Sequence, residues 1–75
     1  MDINEFVTKF AEQFEDTDEE LFTPDLAFQE LEEWSSLSAL SIMAMVRTSY
    51  GKKITAHDIR TCPTVRDLYQ LVESK

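Results

Sequence analysis

Apolar side chains at Ile3, Phe6, Val7, Phe10, Ala11 and Phe14 recur at spacings of three and four. That stripe has the 3.6-residue period of an amphipathic helix and predicts one over residues 3–14. Asp2 reads as its N-cap with Glu5 three positions on, and Met1 is placed to pack on Phe6 as a hydrophobic staple. The period then stops. Residues 15–20 are acidic except for Thr17, and residues 21–34 carry apolar side chains without a sustained helical repeat. Thr23-Pro24-Asp25 is a turn signal. Residues 15–34 therefore read as one long loop with a short helical turn near residues 25–31. Leu21, Leu26, Phe28, Leu31 and Trp34 would pin it to the core. So long a loop is uncommon in a compact domain and points to function or to a further element.

A second helix is predicted from Ser35-Ser36 to Gly51, the only glycine and a natural residue to follow a helix C-terminus. Its core stripe runs through Ala39, Ile42, Met43, Val46 and Tyr50. Leu37, Ala44 and Met45 fall on another face, more apolar than a solvated one requires. Lys52-Lys53 places positive charge where the helix dipole favours it. Thr55, with Asp58 three residues later, opens a short third helix in which Ile54 staples Ile59, and Cys62-Pro63 closes it. Thr64 and Asp67 repeat the capping pattern for a last helix with Val65, Leu68, Tyr69, Leu71 and Val72 inward. No segment alternates with period two or carries a hairpin turn signal. The expected fold is all-α: a small four-helix bundle, three longer helices and one short, with a long first loop, residues 1–75 forming one domain.

Composition narrows the function. An apolar content of 43% excludes a disordered acidic tail. A core drawn from 75 residues supplies only about 3–5 kcal/mol of net stability, so function is expected on the surface rather than in an internal catalytic cleft. Cys62, alone, excludes an internal disulfide and a cysteine zinc cluster and suits a reducing cytoplasm. The longest apolar run, residues 42–46, is too short to span a membrane. Asp2 and Glu5 after Met1 are unlike a signal peptide. Residues 1–35 hold twelve acids and one base (Lys9), a charge of −11, whereas residues 36–75 carry +3. Such acidity argues against nucleic-acid binding. The acidic half either keeps a small protein soluble or steers a basic partner to it.

Reactive constellations are scarce. His57, the only histidine, opens a short helix and reads as a surface or capping residue. Most carboxylates lie in an open loop, without the desolvation that acid–base work requires. Asp16, Asp18 and Glu20 mimic the start of a calcium loop, but Leu21 and Ala27 stand where its glycine and bidentate glutamate belong, so no metal site is expected. One glycine cannot build a phosphate loop. Cys62, beside Pro63 and without a histidine partner, reads as a packing residue. Ser36 remains. Before an apolar helical run it reads first as an N-cap. Yet the first turn of this helix has no acid of its own, which leaves its amides and positive dipole end available to an anion such as a phosphate ester on Ser36.

With Trp34-Ser35-Ser36-Leu37 at the head of an apolar helix ending near Tyr50-Gly51, then Ile54-Thr55 and Thr64-Val65-Arg66-Asp67-Leu68, the chain resembles the acyl carrier proteins and related phosphopantetheine-binding domains over nearly its whole length. Ser35-Ser36-Leu37 occupies the place of the family's Asp-Ser-Leu. The resemblance implies that Ser36 carries 4′-phosphopantetheine, transferred from coenzyme A by a separate magnesium-dependent phosphopantetheinyl transferase. The thiol of that arm, not Cys62, would hold acyl cargo as a thioester. The protein would then be a monomeric carrier in fatty acid or polyketide biosynthesis, not an enzyme, serving synthase or acyl-transferring enzymes. Leu37, Ala44 and Met45 would meet those enzymes, and Met43, Val46, Ile54, Ile59 and Leu68 would line a pocket for the acyl chain. Two departures stand out. Ser35 replaces the aspartate expected to help the transferase place its metal, and the second helix lacks the family's acids, for which Glu30, Glu32 and Glu33 would substitute. A specialised pathway is therefore expected. The alternative is an unmodified acidic module with the same fold that binds a basic protein.

Overall fold

A computed structural model describes residues 2–75 as four α-helices and two 3-10 turns, with no strand among them. Helix α1 covers Ile3–Ala11, α2 Ser36–Tyr50, α3 Ala56–Arg60 and α4 Val65–Glu73. The predicted all-α bundle of three longer helices and one short one is what forms. Helix α1 packs on α2 and α4, and α3 joins α2 to α4. Phe6 and Phe10 from α1, Ile42 and Val46 from α2, Ile59 from α3 and Val65, Leu68 and Val72 from α4 meet in a common core. None of the helices is long and apolar enough to cross a membrane.

Capping follows the sequence closely. Thr55 and Thr64 each accept the third backbone N–H of their helix, while Asp58 and Asp67 reach back to the capping residue's own N–H, closing two reciprocal boxes. Asp2 caps α1 through the Asn4 N–H; the staple expected from Met1 lies outside the described residues. Helix α1 stops three residues short of the predicted Phe14. Gln13 and Phe14 instead donate to the carbonyls three residues back, and this tighter turn swings the Phe14 ring against Phe22 and Trp34. Gly51 ends α2 at φ 65°, the left-handed conformation that only glycine adopts without penalty.

The long segment between α1 and α2 contains the short turn expected near residues 25–31, at Phe28–Glu30. It also holds a second, at Glu19–Leu21, that helical periodicity missed because a single 3-10 turn is shorter than one apolar repeat. Aromatic rings hold the segment down. Phe28 lies edge-on to both Phe10 (centroids 5.2 Å apart) and Trp34 (5.0 Å), and Phe22 packs on Phe14 at 5.2 Å. Polar ties complete the attachment. The N–H groups of Val65 and Arg66, which open α4, donate to the carbonyls of Leu26 and Pro24, so the loop satisfies donors that a helix start leaves free. Gln29 Nε2 donates to the carbonyls of Ile59 and Cys62, at 3.1 and 2.9 Å, bridging the loop to the end of α3.

Gln29→Ala leaves the partly buried Cys62 carbonyl without its donor, while the Ile59 carbonyl keeps the Cys62 N–H, and is expected to cost about 1–3 kcal/mol. Urea unfolding at neutral pH measures it; a midpoint equal to that of the wild type would show that Gln29 is not a structural tie.

Candidate functional site

Three α-helical starts in the chain present reciprocal or acidic caps; α2 is the exception. Its N-cap is Ser35, in extended conformation, whose Oγ accepts the Ser38 N–H at a long 3.4 Å. Ser36 is therefore the first helical residue and not the capping residue that the sequence suggested. The difference matters chemically, because an N-cap hydroxyl is occupied by the backbone, whereas that of Ser36 is exposed and without a partner among the described residues. No acid occupies the first turn, and the N–H groups of Ser36 and Leu37 have no acceptor among the described residues. Two free amides and the positive end of a fifteen-residue helix thus surround an accessible hydroxyl, an environment that favours a negatively charged ester.

Ring contacts and a hydrogen bond hold the approach to this hydroxyl. Trp34 is stacked on Phe14 and set edge-on to Phe28, and the Ser38 hydroxyl donates to the Glu33 carbonyl at 3.1 Å. Beside Ser36, a cleft of about 460 Å³ opens between α2 and α3, lined by Trp34, Leu40, Met43, Ile59 and Arg60 among others. Of the five residues named for an acyl pocket, Met43 and Ile59 line this cleft. Ile54 does not reach this cleft: with Met43, Arg47 and Lys53 it borders a separate cavity of about 230 Å³. Val46 and Leu68 are fully buried and line neither opening.

Leu37 is 74% exposed, and Ala44 is exposed on the same helix. Met45, expected beside them, corrects that assignment. It is only 7% exposed, on the side of α2 that faces Lys9, Glu12 and Gln13 of the first helical segment. Met45 follows Ile42 by three and precedes Val46 by one, so it lies at the edge of the same buried face, which is wider than the stripe drawn from the sequence. Leu40, overlooked in the sequence, is 57% exposed and borders the cleft; its spacing of three from Leu37 was the available signal.

Glu30 and Glu32 are exposed, at the rim of an open bowl with Asp16 and Asp18. Glu33 has a different role. Its carboxylate accepts the Thr17 hydroxyl at 2.6 Å and the backbone N–H groups of Glu15 and Asp16 at 2.9 and 3.1 Å. These bonds favour the ionised form, the Thr17 hydroxyl foremost, and hold its pKa below the ordinary carboxylate value. Glu33 is a clasp within the loop rather than a free contact. His57 is exposed on α3. Cys62 is buried, its Sγ donating to the Asp58 carbonyl at 3.3 Å, and burial pushes its thiol pKa up, the opposite of what a reactive thiolate needs.

A family model described as the phosphopantetheine attachment site matches residues 4–72. Neither the curated proteins nor the solved structures contain a match to the chain.

The Glu33 clasp makes the loop sensitive to acid. Because the folded pKa is the lower one, the clasp contributes fully above the unfolded value and is lost as pH falls through the folded value. Amide hydrogen exchange at Glu15 and Asp16 is therefore expected to accelerate relative to core amides on acidification below the ordinary carboxylate range. Glu33→Gln should show that fast relative exchange at neutral pH already; a variant indistinguishable from wild type would remove the clasp.

Proposed function

The chain belongs to the phosphopantetheine-attachment family, and on that premise we propose that it is an acyl carrier protein whose Ser36 bears the arm. Residues 1–75 act as one carrier domain. A separate transferase would use magnesium and coenzyme A: the Ser36 oxygen attacks the phosphorus on the pantetheine side of the pyrophosphate and gives up its proton, that P–O bond breaks, adenosine 3′,5′-bisphosphate leaves, and a phosphodiester remains whose thiol carries acyl intermediates as thioesters between partner enzymes. The observation that supports this most is the free, exposed Ser36 hydroxyl at the first position of α2, among amides with no acceptor of their own. The ester's negative charge would be stabilised there by the helix dipole and by the N–H groups of Ser36 and Leu37. The protein's own part is to hold the arm at a fixed point, with Trp34 and Ser38 restraining the approach to α2, and the partners do the chemistry. Met43 and Ile59 offer apolar surface beside the attachment point. A buried, unpaired Cys62 is in keeping with a reducing compartment such as the cytoplasm.

Ser35, where the family has aspartate, favours a second reading: an unmodified module that binds proteins through the same fold. Intact mass after incubation with coenzyme A, magnesium and a broad-specificity phosphopantetheinyl transferase separates the two. The wild type is expected to gain one arm and Ser36→Ala none, with both variants folded by circular dichroism. A wild type left unmodified by several transferases would establish the second reading instead. Ser35→Asp, which restores the carboxylate beside the attachment point, is expected to raise the initial loading rate; an unchanged or lower rate would show that the serine is no handicap.

A further inference from the structure

Two of the large apolar side chains exposed among the described residues, Leu37 and Leu40, lie near three cations that form no ion pair there, Arg47, Lys53 and Arg60. Leu37, Leu40, Ala44 and Arg47 follow one another at spacings of three and four along α2 and therefore share one face. All four are exposed, and Leu37 and Leu40 are two of the three large apolar side chains that stand most clear of the core. Arg60 borders the cleft on one side of this face, and Arg47 and Lys53 border the adjoining cavity, with Met43 common to both openings. None of these three cations forms an ion pair among the described residues, whereas Arg66 pairs with Asp25 and Lys75 with Asp58.

Neither the cleft beside Ser36 nor the adjoining cavity is lined by a carboxylate, and Glu12, which borders α2 near Ala44, lies there beside Lys9. Helix α2 itself has no carboxylate, and the three acids of residues 36–75 are engaged. Asp58 accepts from Thr55 and Lys75, Asp67 from Thr64, and Glu73 from the Tyr69 hydroxyl. A protein of net charge −8 thus confines a positive, apolar surface to the helix that begins at Ser36.

We propose that the enzymes meeting this carrier dock on the face from Leu37 to Lys53 with an acidic rim around an apolar centre. This rests on the carrier reading and specifies the polarity of its partners. Leu37 and Leu40 supply the centre, where contact excludes water and most binding energy is gathered. Arg47, Lys53 and Arg60 form a rim that steers and orients the partner more than it adds affinity. The acidic loop supplies the opposing element. Asp16, Asp18, Glu30 and Glu32 line the bowl on another part of the surface, so an acidic partner is repelled there and attracted at α2, which selects one docking orientation.

Two amphipathic helical peptides with the same leucine face, one flanked by glutamates and the other by lysines, test this against the full unmodified chain by amide NMR titration. The glutamate peptide is expected to shift the amides of Leu37, Leu40, Ala44 and Arg47 and to bind about tenfold more tightly than the lysine peptide at low salt. The preference should shrink as salt shortens the screening length. Arg47→Glu with Lys53→Glu should abolish or reverse it without changing the rest of the spectrum. A tighter lysine peptide on this face, shifts confined to residues 15–33, or no shift with either peptide would overturn the proposal. The two readings fail separately. A Ser36 that cannot be loaded rejects the carrier whatever the peptides do, whereas a loaded Ser36 with the opposite peptide preference rejects only the polarity.

Discussion

The attachment of the segment between α1 and α2 is the constraint on which the rest of the molecule depends. Four short helices cannot by themselves cover the rings of Phe10, Phe14 and Phe28, and the loop brings Phe22 and Trp34 to close that cluster. Rings of this kind bury more apolar area per residue than any other side chains and prefer the tilted and edge-on arrangements seen here. Their backbone must still be satisfied. Gln29 ties the loop to the end of α3, the Pro24 and Leu26 carbonyls tie it to the start of α4, and the Glu33 carboxylate gathers residues 15–17.

That attachment reaches the functional surface directly. Trp34 is both a member of the aromatic cluster and a wall of the cleft beside Ser36, so the packing that stabilises the loop also sets where α2 begins. The Ser36 hydroxyl is exposed and without a partner among the described residues, while Ser35 and Ser38 do the capping and bracing around it. The division of labour among three serines in one turn leaves one oxygen available for modification. Its neighbours are a dipole, two free amides and no competing carboxylate.

The charge distribution has a similar logic. The acids that look like a uniform surface in the sequence have separate roles once folded: Glu33 holds the loop, Asp58 and Asp67 cap helices, and Glu30 and Glu32 remain in solvent. Acidic and basic halves of the chain become two surfaces of one small body, and the basic one is also the more apolar. A charge gradient of this kind would orient an encounter with a charged partner before close contact is made.

The helices were legible from the residues because their signals are local. Stripes of period 3.6, Thr-x-x-Asp caps and a single glycine with positive φ act within one or two turns, and no distant partner can move them. The family was legible too, since Ser-Ser-Leu at the head of an apolar helix is a matter of order along the chain. Folding decided what depends on residues distant in sequence. Which serine caps α2 was settled by backbone geometry. Whether Met45 faces water or Lys9 depended on where α1 packed. Glu33 became a clasp because residues 15–17 returned to it, and Arg60 came to border the cleft beside α2 because α3 lies against α2. A sequence records the neighbours along the chain; the neighbours across a helix interface exist only after the core has closed.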